Sequence, residues 1–190
     1  MENIKFKILD NNATREDLQS LATLHKKILD NSLVGTLKNK PLSRLYYYLI
    51  KNNLLYVVVV KNEKNRIIGS ISCSYGSLLS KIFRLDFIKI LKIILIGFMS
   101  NPIVWIKHTY FKVITYYGIK SKANIVFLFV DENYQNQSIG NELLSFAINK
   151  FEENITLDTN RINKNAVKFY KKNNFIILRK NKKNILLRYR

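Results

Sequence analysis

The sequence predicts one mixed α/β domain in which short strands and amphipathic helices alternate. Three observations lead there. The chain has 190 residues, the length of one ordinary domain and enough to bury one core. Apolar residues make up 47% and charged residues 24%, close to globular averages, which excludes wholesale disorder. The hydrophobic pattern also changes several times between strand and helix spacing.

Residues 3–9 alternate apolar and polar and read as a strand. Thr14 is a helix N-cap, with Asp17 in the capping-box position usually held by Glu. Leu18, Leu21, Leu24, His25 and Ile28 then recur at helical spacing through Leu29, and Asn31-Ser32 breaks the helix. A second helix follows Pro41, with Leu42, Leu45, Tyr46 and Leu49 on one face. Leu54–Val60 is a strongly β-branched run, KNEKNR is a polar turn and Ile67–Tyr75 is another strand, which together predict a hairpin. Residues 81–99 and 102–117 read as two helices joined at Ser100-Asn101-Pro102. The longest uncharged run there, Ile93–Met99, is far below the roughly 18–20 residues that span a bilayer. Residues 124–130 (NIVFLFV) form a continuous apolar run, expected as a buried strand. A helix over 138–151 turns Ile139, Leu143, Leu144, Ala147, Ile148 and Phe151 inward. A strand at 155–159, a helix at Asn163–Lys172 and a hairpin of Phe175–Arg179 with Ile185–Tyr189 complete the chain.

Composition narrows the function. Lys+Arg number 32 against 13 Asp+Glu, a net charge of +19, which favours anionic partners: nucleic acid, acidic lipid or phosphorylated small molecules. The single cysteine, Cys73, excludes an internal disulfide and any CxxC site, and fits a reducing, cytoplasmic setting. The N-terminus begins acidic and alternates, unlike a secretory signal. No histidine–carboxylate cluster has metal spacing, so no metal is expected. No helix-turn-helix, zinc-finger or RNP signature points to nucleic acid.

The chemically informative stretch runs strand, turn, helix. The buried strand ends at Val130, and a polar loop opens into the helix at 138–151. Free backbone N–H groups at a helix N-terminus attract anions, because donors and dipole both face the ligand. Gly140 lets a phosphate approach the backbone closely. Neither GK[ST] nor GxGxxG is present, which removes P-loop and dinucleotide readings.

Gln135-Asn136-Gln137-Ser138-Ile139-Gly140 resembles motif A of the GNAT acetyltransferase superfamily, Gln/Arg-x-x-Gly-x-Gly/Ala, with Ser138 in place of the first glycine. Asn163, Ala166, Tyr170 and Phe175 match the superfamily's following segment, Asn-x-x-Ala-x-x-x-Tyr-x-x-x-Gly-Phe, with Asn174 in place of its glycine. The resemblance covers 124–190 well and 3–75 loosely. It implies a single domain over 1–190: a mostly antiparallel central sheet flanked by helices, split between strands four and five. A helical insertion, 76–117, lies between strands three and four. It also implies acetyl transfer from acetyl-coenzyme A to a primary amine. In that reading Val130 pairs with the pantetheine arm. Gln135, Asn136, Gln137, Ser138, Ile139, Gly140 and Asn141 cradle the pyrophosphate. Asn163 contacts the co-substrate, and Tyr170 protonates the departing thiolate. A phenol suits that role, being protonated at neutral pH. Related superfamily members in surface-polysaccharide pathways suggest a nucleotide-linked amino sugar as acceptor, and the positive charge agrees with an anionic one.

The remaining candidates have plainer readings. Cys73 reads as a small core residue, and His108 as structural or exposed. His25 reads as a helix residue at the core margin, with a lesser claim as a base near the acceptor. Asp158, Asp131 and Glu132 are strand-end carboxylates, solvated or able to assist an amine's deprotonation. The 76–117 segment is open to three readings: a lid over the acceptor cleft, a homodimer surface, or an element lying on anionic membrane. Two other classes stay open for the whole chain: a basic module binding membrane or nucleic acid without catalysis, and a catalytically degenerate scaffold of the same fold.

Overall fold

The computed structural model describes residues 3–30, 32, 34–76, 78, 102–103, 106–107, 110 and 115–190. The insertion predicted at 76–117, with His108 and the Ile93–Met99 run, lies largely outside the described residues. Seven strands form one sheet in the order β1-β2-β3-β4-β5-β7-β6: β1 Lys5–Leu9, β2 Leu55–Lys61, β3 Ile67–Tyr75, β4 Ala123–Val130, β5 Ile155–Asn160, β6 Phe175–Lys180 and β7 Asn184–Tyr189. All neighbours are antiparallel except β4 and β5. Helices α1 (Arg15–Ile28) and α2 (Asn39–Lys51) cover one face, and α3 (Ile139–Phe151) and α4 (Lys164–Lys172) the other.

The core divides along the sheet. Val57 and Val59 join Leu18, Leu21, Leu42, Tyr46 and Leu49 beneath α1 and α2, while Val58 and Val60 join Ile139, Leu143, Leu144 and Ala147 beneath α3. A strand buried on both faces reads as a continuous apolar run, which is why Leu54–Val60 lacks alternation. Helix α1 begins as expected: Thr14 Oγ1 accepts from the Asp17 amide at 3.1 Å. Asp17 is also clamped by Lys61 at 2.6 Å and Lys7 at 2.8 Å, fixing the helix start against β1 and β2.

Helix α2 starts before Pro41 rather than after it. Pro41 lies in the first turn, where its missing N–H has no intrahelical partner to lose. Helix α3 starts at Ile139, with Ser138 as its cap. Asn163 caps α4, its Oδ1 accepting from Ala166 N at 3.0 Å. No helix among the described residues is long and apolar enough to cross a membrane.

Candidate active site

The parallel junction between β4 and β5 has three residue pairs, Ala123↔Ile155, Asn124↔Thr156 and Ile125↔Leu157. Beyond them the strands separate. The β3–β4 register jumps from Cys73↔Ile125 to Ser72↔Phe127, so Val126 is an extra residue on β4. A bulge bends its strand and sharpens its twist, and it occurs where β4 parts from β5. Phe127–Val130 stays paired with β3 on one side, and Val126–Val130 has no β5 partner on the other. Backbone groups facing that gap need another partner.

The loop after β4 is tightly built. Asp131 Oδ1 accepts from Asn133 N at 3.2 Å, and the turn Glu132–Tyr134 follows. Asp131 Oδ2 accepts from Lys27 Nζ at 2.9 Å, which ties the loop to α1. That bond is the main reason the Asp131 carboxyl is held below the usual range, the Asn133 amide helping and burial opposing it. Asn136 and Ser138 both have left-handed backbones, with φ of 62° and 63°. Ser138 thus occupies the glycine-like conformation its motif position implies, at the modest energetic cost a non-glycine residue carries there. The first backbone bonds of α3 run from Asn141 N and Glu142 N to Ser138 O. The amides of Ile139 and Gly140 therefore point out of the helix start without a backbone acceptor among the described residues, at its positive end.

The loop residues divide their work. Gln135 turns back, its Nε2 donating to Val130 O at 3.1 Å, and Gln137 Nε2 donates to Asn133 O at 3.4 Å. Asn141 Oδ1 accepts from Asn173 Nδ2 at 3.1 Å, linking α3 to α4. A Cβ at Gly140 would lie 3.5 Å from the Phe169 ring, an ordinary contact, so alanine fits there and a much larger group displaces Phe169. Several side chains thus hold the loop's shape, which leaves its backbone amides as the groups available to an anion.

Tyr170, on α4, is 7% exposed and packs edge-on against Phe169 and Phe175, in the same core as Cys73. Its hydroxyl has no hydrogen-bond partner among the described residues, and burial, helped by Cys73 and Asp158, raises its pKa well above the ordinary phenol value. The phenol stays protonated throughout the neutral range. Asn174, with φ of 64°, turns the chain out of α4 in the left-handed conformation expected of a glycine substitute.

His25 corrects an expectation. It is fully buried rather than at the core margin, with Tyr46 Oη 2.6 Å from Nδ1 and Ser32 Oγ 3.1 Å from Nε2, and it meets Phe127 and Phe129 of β4 edge-on. Burial lowers its pKa to about 4, so it sits in the protein as a neutral connector. Cys73 is buried, as expected of a core residue, and burial pushes its thiol up. One feature escaped the sequence reading: Tyr116, just before β4, donates to Asp158 Oδ1 at 2.8 Å and lies 3.1 Å from Asn124 Oδ1. No local pattern marks Tyr116, because its partners lie on two separate strands.

The sheet, its gap and the helix that follows are those of an acyl-transfer fold. The profile of the Acetyltransferase (GNAT) family matches residues 21–175, and the chain belongs to that family. No curated protein matches the chain by sequence. Solved structures share the fold. PaiA N-acetyltransferase from Thermoplasma acidophilum, in complex with coenzyme A, is 15% identical with a TM-score of 0.61, over 99% of each chain. Arabidopsis thaliana NAA60 with a bisubstrate analogue is 14% identical with a TM-score of 0.61, over 98% of this chain and 97% of that one. A GNAT-family acetyltransferase from Staphylococcus aureus is 15% identical with a TM-score of 0.58, over 98% of this chain and all of the other.

Proposed function

We propose that the protein is an acetyl-coenzyme A-dependent N-acetyltransferase whose acceptor is a primary amine on an anionic molecule, a nucleotide-linked amino sugar being the favoured form. One observation carries the reading: a strand-wide gap beside Val126–Val130 leads directly to the amides of Ile139 and Gly140, which have no backbone acceptor among the described residues, with Tyr170 rooted in the core that meets the gap. The gap suits a ligand with amide groups along an extended arm, and the amides suit a pyrophosphate. Coenzyme A in the Thermoplasma protein and acetyl-coenzyme A in Arabidopsis NAA60 support the same choice here.

Acetyl-coenzyme A supplies an activated acyl thioester, and the residues do the rest. The edge of β4 through Val130 orients the arm. Gln135, Asn136, Gln137 and Ser138 shape the cradle, and Ile139 and Gly140 donate to phosphate. Asn141, joined to Asn173 at the end of α4, borders the cradle, and Asn163, the cap of α4, is the further contact to the co-substrate. Tyr170 gives its proton to the thiolate. Alignment of amine and thioester contributes much of the rate. The whole chain, 1–190, acts as one domain, with acceptor handling the favoured use of its 76–117 insertion. Peripheral membrane contact or homodimer formation is the competing use of that insertion, and the setting is cytoplasmic.

A thermal-shift series with acetyl-coenzyme A, coenzyme A and duplex DNA tests the class. A ligand at a hundredfold its dissociation constant adds about 2.7 kcal/mol to native-state stability. A raised midpoint with both coenzyme A forms and none with DNA is expected. A shift with DNA alone overturns the reading in favour of a nucleic-acid module.

A further inference from the structure

The last rung between β4 and β5 is Ile125↔Leu157, so Asp158 is the first β5 residue at the apex of the gap. Ile155 and Leu157 join the core beneath α3 and α4, and Asp158 alternates to the opposite face, together with Asn124 of β4. There Tyr116 and Asn184 are two of the groups that hold the carboxylate. Tyr116 donates to Oδ1 at 2.8 Å, and Asn184 Nδ2 of β7 donates to Oδ2 at 3.4 Å. The segment bearing Tyr116 is itself fastened down. Arg179 donates to the carbonyls of Thr115 and Tyr117, at 3.2 and 2.8 Å, and Asn181 Nδ2 donates to Thr115 Oγ1 at 2.7 Å. Tyr170 roots in the other face, close enough that the Asp158 charge helps to keep its phenol protonated.

We propose that Asp158 binds the ammonium of the acceptor and removes its proton, with Tyr116 as the residue that positions the carboxylate. The proposal rests on the acetyltransferase reading and extends it to the acceptor. A carboxylate at the apex selects a cationic head, while the net charge of +19 suits an anionic body. The substrate class is then a primary ammonium carried on a phosphate- or carboxylate-bearing molecule, entering over the face that residues 115–117 cover. The protons balance. Asp158 takes one from R–NH3+ and passes it to water. The freed lone pair forms the C–N bond as the C–S bond breaks, and the sulfur takes the Tyr170 proton. The second amine proton refills Tyr170 through solvent. The sum is ammonium plus thioester giving amide, thiol and one released proton.

Calorimetric binding of acetyl-coenzyme A to the wild-type protein tests the acetyltransferase reading separately, and its absence removes that reading and the assignment with it. The assignment itself is tested by thiol release from acetyl-coenzyme A, with 2-aminoethyl phosphate and glucosamine 6-phosphate as probe amines. Asp158→Asn is expected to lower kcat/KM for the amine by about 10²–10⁴-fold, the usual contribution of a positioned base, with acetyl-coenzyme A affinity unchanged. Asp158→Glu recovers part of it. Tyr116→Phe removes one oxygen and is expected to raise the amine KM more than it lowers kcat. Wild-type turnover in Asp158→Asn overturns the assignment, as does failure of both probes to react in a protein that binds acetyl-coenzyme A. If Asp158→Asn does not fold, an unchanged amine KM in Tyr116→Phe overturns it alone.

Discussion

His25 and Tyr170 show how burial sets chemistry one side chain at a time. The His25 imidazole is neutral in the folded protein, its pKa lowered from the ordinary 6.5 to about 4 by burial. In the unfolded chain it takes a proton as pH falls below about 6.5. The unfolded state then binds more protons than the native state, so stability present above that pH is lost between about 6.5 and 4, by an amount of order 3 kcal/mol. The thermal midpoint is expected to fall steeply over that range, and His25→Gln to flatten the fall. An equally steep fall in the variant would assign the acid sensitivity elsewhere. Tyr170 is shifted so that it keeps its proton, and Tyr170→Phe removes a hydroxyl without a partner among the described residues. The fold is expected to persist and acetyl-coenzyme A to bind normally. Turnover should drop by about 10²–10⁴-fold, the usual contribution of a general acid. Unaltered turnover from pH 6 to 9 would make Tyr170 a packing residue.

Elements record where the sequence speaks and where it is silent. Strand β3 occupies Ile67–Tyr75, as expected, and both hairpins form around their polar turns. The α3 start was legible because Ser138 and Gly140 follow an apolar run, although Ser138 does a glycine's work at φ 63°. The bulge at Val126 was not legible: it depends on how β4 meets β3, and no residue in NIVFLFV announces it. The Tyr116–Asp158 contact was hidden for the same reason, since 42 positions separate the partners. The helix start invites a test of its own. Gly140→Asp adds a negative charge in the first turn of α3, which the helix dipole favours by about 0.3–1 kcal/mol. The same charge repels a bound pyrophosphate. Acetyl-coenzyme A affinity is expected to fall by at least about tenfold, which is about 1.4 kcal/mol, while the thermal midpoint holds or rises. Unchanged affinity by calorimetry would move the phosphate site away from this helix.

Across the whole molecule, the charge of +19 surrounds a sheet that is nearly two sheets. Strands β1–β4 form one run of antiparallel pairs, β5–β7 form another, and three residue pairs join them. So short a parallel junction is the natural hinge of the fold, since opening it breaks fewer ladder bonds than any antiparallel neighbour. An extended ligand lying along Val126–Val130 then acts as a missing strand, suturing the halves while it is bound. Amide exchange in β4, β5 and β7 is expected to slow on addition of acetyl-coenzyme A, with β1 and β2 little changed. Uniform protection across all seven strands would argue against a local suture. Each turnover would therefore end with the seam unstitched, so that departure of coenzyme A loosens the enzyme and arrival of the next donor closes it.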